Sequence, residues 1–202
     1  MKCCDAERIP LYPGSAIYVP GWLESPDAAA VQRACLDSLD WTSPILKIFG
    51  RSHPIPRRHA FVGDTGVSYR WSGIVQHAQP WVPALSDVRA RLAELGLPFN
   101  SLLANHYRGG SDSMGWHADD ESELGPLPVI ATISLGQARK LRFKPKAGGD
   151  AVGFLLEHGS LLLTSGEVQQ YWVHQVAKSR ASMIDRISLT FRYIGSESPP
   201  FL

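Results

Sequence analysis

Cysteine is scarce in this chain: three in 202 residues, two adjacent at Cys3 and Cys4 and the third alone at Cys35. That number closes no disulfide framework, and no Cys-x-x-Cys pair is present to clamp zinc, so a reducing cytoplasm is the expected setting. Long apolar runs are missing as well. The longest, such as 153–156 and 161–163, fall far short of a bilayer span, and residues 1–8 contain no apolar segment of the secretory kind. Nor does one sign of charge dominate: 20 Lys and Arg stand against 19 Asp and Glu, a formal net charge of +1. A chain so balanced cannot wrap nucleic acid through bulk charge, and any such contact must be local. Internal repeats and low-complexity stretches are absent.

What is present is an ordinary globular balance, 44% apolar and 19% charged. The length suits one sizeable core, so residues 1–202 read as a single domain. Two helices are predicted in the N-terminal half. Ser25 serves as N-cap of the first, with Pro26 at the first helical position, Asp27 in the first turn and an Ala-rich run to Leu39. The second spans about 81–95, where Leu85, Val88, Leu92 and Leu95 share a face and Gly96 is the stop. The Pro-, Gly- and Arg-rich stretch 48–73 reads as loops and short strands. From Asn100 onward come seven strand-like runs, at 101–107, 129–135, 140–143, 152–156, 160–163, 171–176 and 187–193, with no helical pattern between them. The class is α+β and mainly β, with a sandwich, barrel or jelly roll following two flanking helices.

Trp116-His117-Ala118-Asp119-Asp120-Glu121 is the sharpest local feature. On a strand, His117 and Asp119 point the same way and present an imidazole beside a carboxylate. His174 follows inside another strand-like run. A His-x-Asp pair alone is a frequent accident of composition. Two histidines and one carboxylate without a thiolate are, however, the ligand set of non-haem Fe(II), with positions left open for substrate and oxygen.

The last strand-like run gives that set company. Ile187, Leu189 and Phe191 alternate with Arg186, Ser188, Thr190 and Arg192. Two arginines and two hydroxyls on one face make either a solvated edge or the wall of an internal pocket. Arginine forks pair bidentately with carboxylates, so a wall of this kind suits a small dicarboxylate. Beside an Fe(II) triad, the dicarboxylate indicated is 2-oxoglutarate. Asn105 and Tyr107 share a face of the run before His117 and are candidates for its remaining hydrogen bonds.

Taken together these stretches resemble the AlkB family of Fe(II)/2-oxoglutarate dioxygenases. The likeness runs through Asn105-His106-Tyr107, 116–121, 130–136, 158–162, Trp172-Val173-His174 and 186–192, in order and spacing, over roughly residues 100–195. It implies a double-stranded β-helix (jelly roll) for about 100–195, with helices and a nucleotide-recognition lid in about 1–99. It further implies iron held by His117, Asp119 and His174, and 2-oxoglutarate held by Asn105, Tyr107, Arg186, Thr190 and Arg192, with O2 as oxidant. Ser188 stands where the family usually has Asn, and Trp71 where Phe is common.

The N-terminal half resembles the nucleic-acid-repair branch. Pro56-Arg57-Arg58 with Tyr69-Arg70-Trp71-Ser72-Gly73 matches its lid, and Ile48-Phe49-Gly50 the hydrophobic finger of its duplex-DNA member. Lys47, Arg51, Arg57 and Arg58, with no acid in 46–59, are the local basic footprint that phosphate contacts require. Phe49 reads as a wedge in the base stack, and Tyr69 and Trp71 as stacking faces that hold a flipped base against His117. Asp120 and Glu121 are placed to read the edge of a cationic alkylated base. The resemblance thus implies oxidative demethylation of N-alkylated bases of the 1-methyladenine and 3-methylcytosine type in DNA, releasing formaldehyde, succinate and CO2. The expected enzyme is a monomer with no membrane attachment, cytoplasmic and nucleoid-associated if bacterial. Three alternatives compete: the same chemistry on RNA, tRNA or a protein side chain; a non-catalytic nucleic-acid-binding module of this fold; and a zinc hydrolase on a cupin-like barrel, which would leave both strand arginines without a task.

Overall fold

The computed structural model describes residues 6–48, 51–71, 74–181 and 183–195. Among them, a seven-stranded sheet has the order β1(Glu7–Ile9), β2(Ser15–Val19), β13(Ser160–Ser165), β10(Ile130–Gly136), β15(Arg186–Arg192), β8(Ser101–Tyr107), β5(Arg58–Gly63). A four-stranded sheet has the order β12(Val152–Leu156), β11(Arg139–Pro145), β14(Trp172–Val176), β9(Met114–His117). Two hairpins complete the strands: β3(Ile45–Ile48) with β4(Arg51–Pro54), and β6(Ser68–Trp71) with β7(Ile74–His77). All named pairings are antiparallel.

The helices are α1(Ser25–Ser38), α2(Pro83–Ala93) and the single turn α3(Val168–Tyr171). Glu24, not Ser25, is the N-cap of α1, because the Ala28 N–H already bonds the Glu24 carbonyl and the helix begins one residue early. No side chain caps that end, although Asp27 does lie in the first turn. In α2, Leu85, Val88 and Leu92 are buried but Leu95 lies past the helix and is 36% exposed, since Gly96, at φ 77°, turns the chain away. Tyr171 belongs to α3 rather than to the strand that follows it.

Period-2 alternation on β15 creates the layering. Ile187, Leu189 and Phe191 are wholly buried and join Val31, Cys35, Leu85, Val88 and Leu92 in a core between the larger sheet and the helices. The opposite face of β15, with Arg186, Ser188, Thr190 and Arg192, looks into the space between the two sheets. There a second cluster, including Tyr18, Tyr107, Leu141, Phe143, Leu156 and Val176, holds the sheets together. The β12–β13 turn pins this sandwich to the entry of α1. Gly159 sits at φ 76°, where a Cβ would collide with the Leu23 carbonyl, and its own N–H and C=O bond Ser134 and Leu23.

Candidate metal centre and cosubstrate pocket

His117 and His174 are direct cross-strand partners on β9 and β14, next to a register shift between His174 and Val176. Their rings lie 4.1 Å apart, centroid to centroid. The His117 ring donates from Nδ1 to the Gly115 carbonyl at 2.9 Å, which turns Nε2 toward Asp119, 3.8 Å from Oδ1. Asp119 is not on a strand: β9 ends at His117, and the carboxylate is brought in by coil. Two contacts fix it there. Gln169 Oε1 accepts the Asp119 backbone N–H at 2.9 Å, and Arg192 Nη2 meets Oδ2 at 2.8 Å. One ligand atom from each of His117, Asp119 and His174 lies within 4.8 Å of the others.

Burial by itself would raise the Asp119 carboxyl, but Arg192, with His174 and His117 beside it, holds it well below the usual carboxylate range. Burial, reinforced by His117, pushes the His174 imidazole down to about 3. A neutral ring and an ionised carboxylate are the protonation states a cation needs from its ligands. The donor set fits Fe(II): two imidazoles and one carboxylate, no thiolate, and too few ligands to close a structural site.

These groups open on a cavity between the sheets. Its polar wall comes from β8 and β15. Arg186 is buried to 1% exposure, donates from Nε to Ser134 Oγ at 2.9 Å, and stands over the Tyr107 ring. Its Nη1 is buried without a hydrogen-bond partner, an orphaned cationic donor. Desolvation pushes this guanidinium down to about 10, which leaves it charged at neutral pH. Ser188, at the family's usual Asn position, is 3.5 Å from Arg186 Nη2. Asn105, Tyr107 and Thr190 line the same cavity. The residues present therefore fit 2-oxoglutarate, and Arg186 is the side chain that would take its carboxylate.

Arg192 meets Asp119 through Nη2 and also lines the cavity, where its Nε is buried without a partner. Other expectations are corrected. Arg57 is no phosphate contact. It is buried at 4% and donates from Nε to Asn105 Oδ1 at 2.7 Å, because residues 55–59 alternate in and out and place Arg58 outward instead. That bond leaves Nδ2 as the group Asn105 offers the cavity. Tyr69 is not an open stacking face. It is 2% exposed, packed on Phe61 and Leu103, with the Arg192 guanidinium 5.7 Å from its ring. Asp120 meets Lys146 Nζ at 2.8 Å, and Glu121 faces Tyr69 and Arg192. Phe49, Gly50 and Ser72 lie outside the described residues, as do the side chains of Arg51 and Trp71.

Gln169 and Ser134 were not expected. Ser134 alternates with Thr132 on the otherwise apolar β10, and that pattern marks a pocket-facing side. Gln169 carries no comparable signal, since it acts through a backbone N–H fifty residues away.

Residues 15–192 match the 2OG-Fe(II) oxygenase superfamily. The chain is 37% identical over 158 residues to DNA oxidative demethylase ALKBH2 of Mus musculus, covering 74% of this chain and 66% of that protein. It is 35% identical over 199 residues to alpha-ketoglutarate-dependent dioxygenase alkB homolog 3 of Rattus norvegicus, covering 93% and 64%. Against three ALKBH2 proteins the chain spans 57–66% of the relative's length. In fold it superposes on the structure of OsALKBH1 with TM-score 0.61 and 17% identity, over 93% of this chain and all of that one. A 2OG-Fe(II) oxygenase family oxidoreductase from Burkholderia pseudomallei gives TM-score 0.61 and 17% identity, over 89% of this chain and 84% of that one. These two likenesses agree with the jelly-roll layering described above. The chain belongs to the 2OG-Fe(II) oxygenase superfamily and, by its likeness to ALKBH2 and ALKBH3, to the AlkB family.

Proposed function

We propose that the chain is a dioxygenase that removes N-alkyl groups from bases in DNA, releasing formaldehyde. The observation that carries this reading is the convergence of His117, Asp119 and His174 on one cavity that is also lined by a buried arginine, Arg186, whose Nη1 has no hydrogen-bond partner. The names of its relatives, a DNA oxidative demethylase among them, support the substrate class. Iron with 2-oxoglutarate and O2 supplies an oxidation that hydroxylates a substrate C–H bond while the keto acid leaves as succinate and CO2.

The chain's own residues do the rest. Arg186, set by Ser134, takes a terminal carboxylate of the keto acid, and Asn105 and Tyr107 line the bed on which it lies. Arg192 keeps Asp119 ionised and aimed, while the Gly115 carbonyl fixes the His117 tautomer. The wall formed by Leu141, Phe143, Leu156 and Leu162 keeps the space poor in water. Beside Tyr69 and Arg192, Glu121 has a buried Oε2 without a hydrogen-bond donor. N-alkylation makes adenine and cytosine cationic, so this carboxylate favours the damaged base over its neutral parent. The hydroxymethyl product then loses formaldehyde without help from the protein.

The test is formaldehyde release from oligonucleotides carrying 1-methyladenine or 3-methylcytosine, in DNA and RNA arms. Wild type releases it from the DNA arm, and His174→Ala lowers the rate at least about a thousandfold, the order of effect when a catalytic group is removed. Equal release by wild type and variant, or release from the RNA arm alone, contradicts the proposal.

A further inference from the structure

The outer face of the four-stranded sheet carries a feature that neither iron nor 2-oxoglutarate uses. Five of the eight residues 139–146 are basic and none is acidic, in a chain whose net charge is only +1. On β11, Arg139, Leu141 and Phe143 are buried, while Lys140 and Lys144 are exposed and Arg142 is half-buried. Lys140, Arg142 and Lys144 therefore stand on one face at a repeat of about 6.7 Å, two strand residues each. Lys146 continues the line, and its ammonium bonds Asp120, next to the metal-site Asp119. The row of cations thus ends on the residue next to Asp119, which lines the cavity.

Nothing on the neighbouring strands neutralises it. Gly153 and Leu155 of β12 pair with Arg142 and Lys140, and Val173 and Gln175 of β14 pair with Lys144 and Arg142. Gly153 leaves room for the stems of its neighbours to lie across it: a Cβ there would be 2.8 Å from Lys140 Cε and 3.2 Å from Arg142 Cγ. At the edge of the sheet, Trp116 is 41% exposed and immediately precedes His117. The Arg142 guanidinium lies 5.7 Å from its ring. An aromatic face open to solvent and held by a cation contributes little to the core, and it is the kind of platform on which a base stacks.

We infer that this face is a track for a single polynucleotide strand. Phosphates flanking the processed nucleotide lie on Lys140, Arg142 and Lys144, and a neighbouring base stacks on Trp116. Regular cations match a polymer with one anion per repeat, and the aromatic platform distinguishes a nucleic acid from an anionic lipid surface. The identity of the strand rests on the nucleic-acid reading above.

The experiment measures binding of a short fluorescent single strand of unmodified bases, DNA or RNA, over a salt series. In the doubly substituted Lys140→Gln, Lys144→Gln protein the affinity falls, and the slope of log K against log salt shrinks by about 1.4, at about 0.7 for each phosphate no longer neutralised. Trp116→Ala weakens binding about fivefold or more without changing that slope. The charge-reversed pair Lys140→Glu, Lys144→Glu binds more weakly still, and all three keep the wild-type melting temperature. Unchanged affinity and slope in both lysine variants overturn the track. Formaldehyde release by wild type from methylated strands is read in parallel. If it occurs while the lysine variants bind normally, the track fails and the dealkylase reading stands. If it is absent while those variants lose strand binding, the dealkylase reading fails and the track stands.

Discussion

Arg192 and Asp119 form a buried ion pair, each side chain about 5% exposed, and the arginine also lies against the Tyr69 ring. Two charges are kept out of water here only because they satisfy each other, so removing one strands the other. Arg192→Ala is expected to destabilise the metal-free protein by about 3–5 kcal/mol in urea unfolding, and divalent metal recovers part of that loss. A variant as stable as wild type would show that Asp119 does not depend on this partner. The four polar residues of β15 were legible as one face from alternation, because period 2 is a local property of a strand. Their division of labour was not. Which arginine meets Asp119 depends on the pairing of β9 with β14, which joins residues far apart in the chain. The burial of Arg57 was hidden for a related reason: a basic cluster reveals charge, but only the in–out phase of residues 55–59 reveals which arginine is buried.

The β6–β7 hairpin meets the sheet through Tyr69, packed on Phe61 and Leu103, and through polar contacts. One is Gln76, whose Nε2 lies 3.1 Å from His59 Nε2 on β5, so the neutral imidazole is the acceptor. Burial, with Arg57 nearby, pushes His59 down to about 4, whereas an unfolded histidine titrates near 6.5. The unfolded chain then binds the extra proton first. The contribution of His59 is complete above about pH 6.5 and is lost as pH falls toward 4. Unfolding midpoints in urea should decline over that window, and His59→Gln should flatten the decline; an equally steep decline in the variant would place its origin elsewhere. At this scale most strands of the second half were legible, with β8 and β12 matching to the residue, because their boundaries are set by turns and alternation. The short β1 and β2 were not expected: β1 has only three residues and pairs with β2, which in turn pairs with the distant β13. Tyr69 illustrates the same limit. Strand spacing gave its face, but not that Phe61 and Leu103 cover that face.

In the whole molecule, helices cover one side of the larger sheet and leave its other side free to face the smaller one across a cavity. The apolar patterning that builds this sandwich and the polar residues that line it come from the same strands, which is why fold and site were readable together. The partition into seven and four strands was not readable, because it is set by crossovers rather than by local pattern. No helix among the described residues is long and apolar enough to cross a membrane. All of the chemistry proposed here requires one metal-and-keto-acid site, assembled from β8, β9, β14 and β15. Its most direct test is anaerobic titration with Fe(II) and 2-oxoglutarate, read by the visible charge-transfer absorption of the iron-chelated keto acid. Wild type should develop the band with one equivalent of each. Asp119→Ala should fail to develop it, and Arg186→Gln should need at least about tenfold more 2-oxoglutarate, the cost of one charged hydrogen bond. A band of equal strength and affinity in wild type and both variants, or none in wild type, would contradict the account.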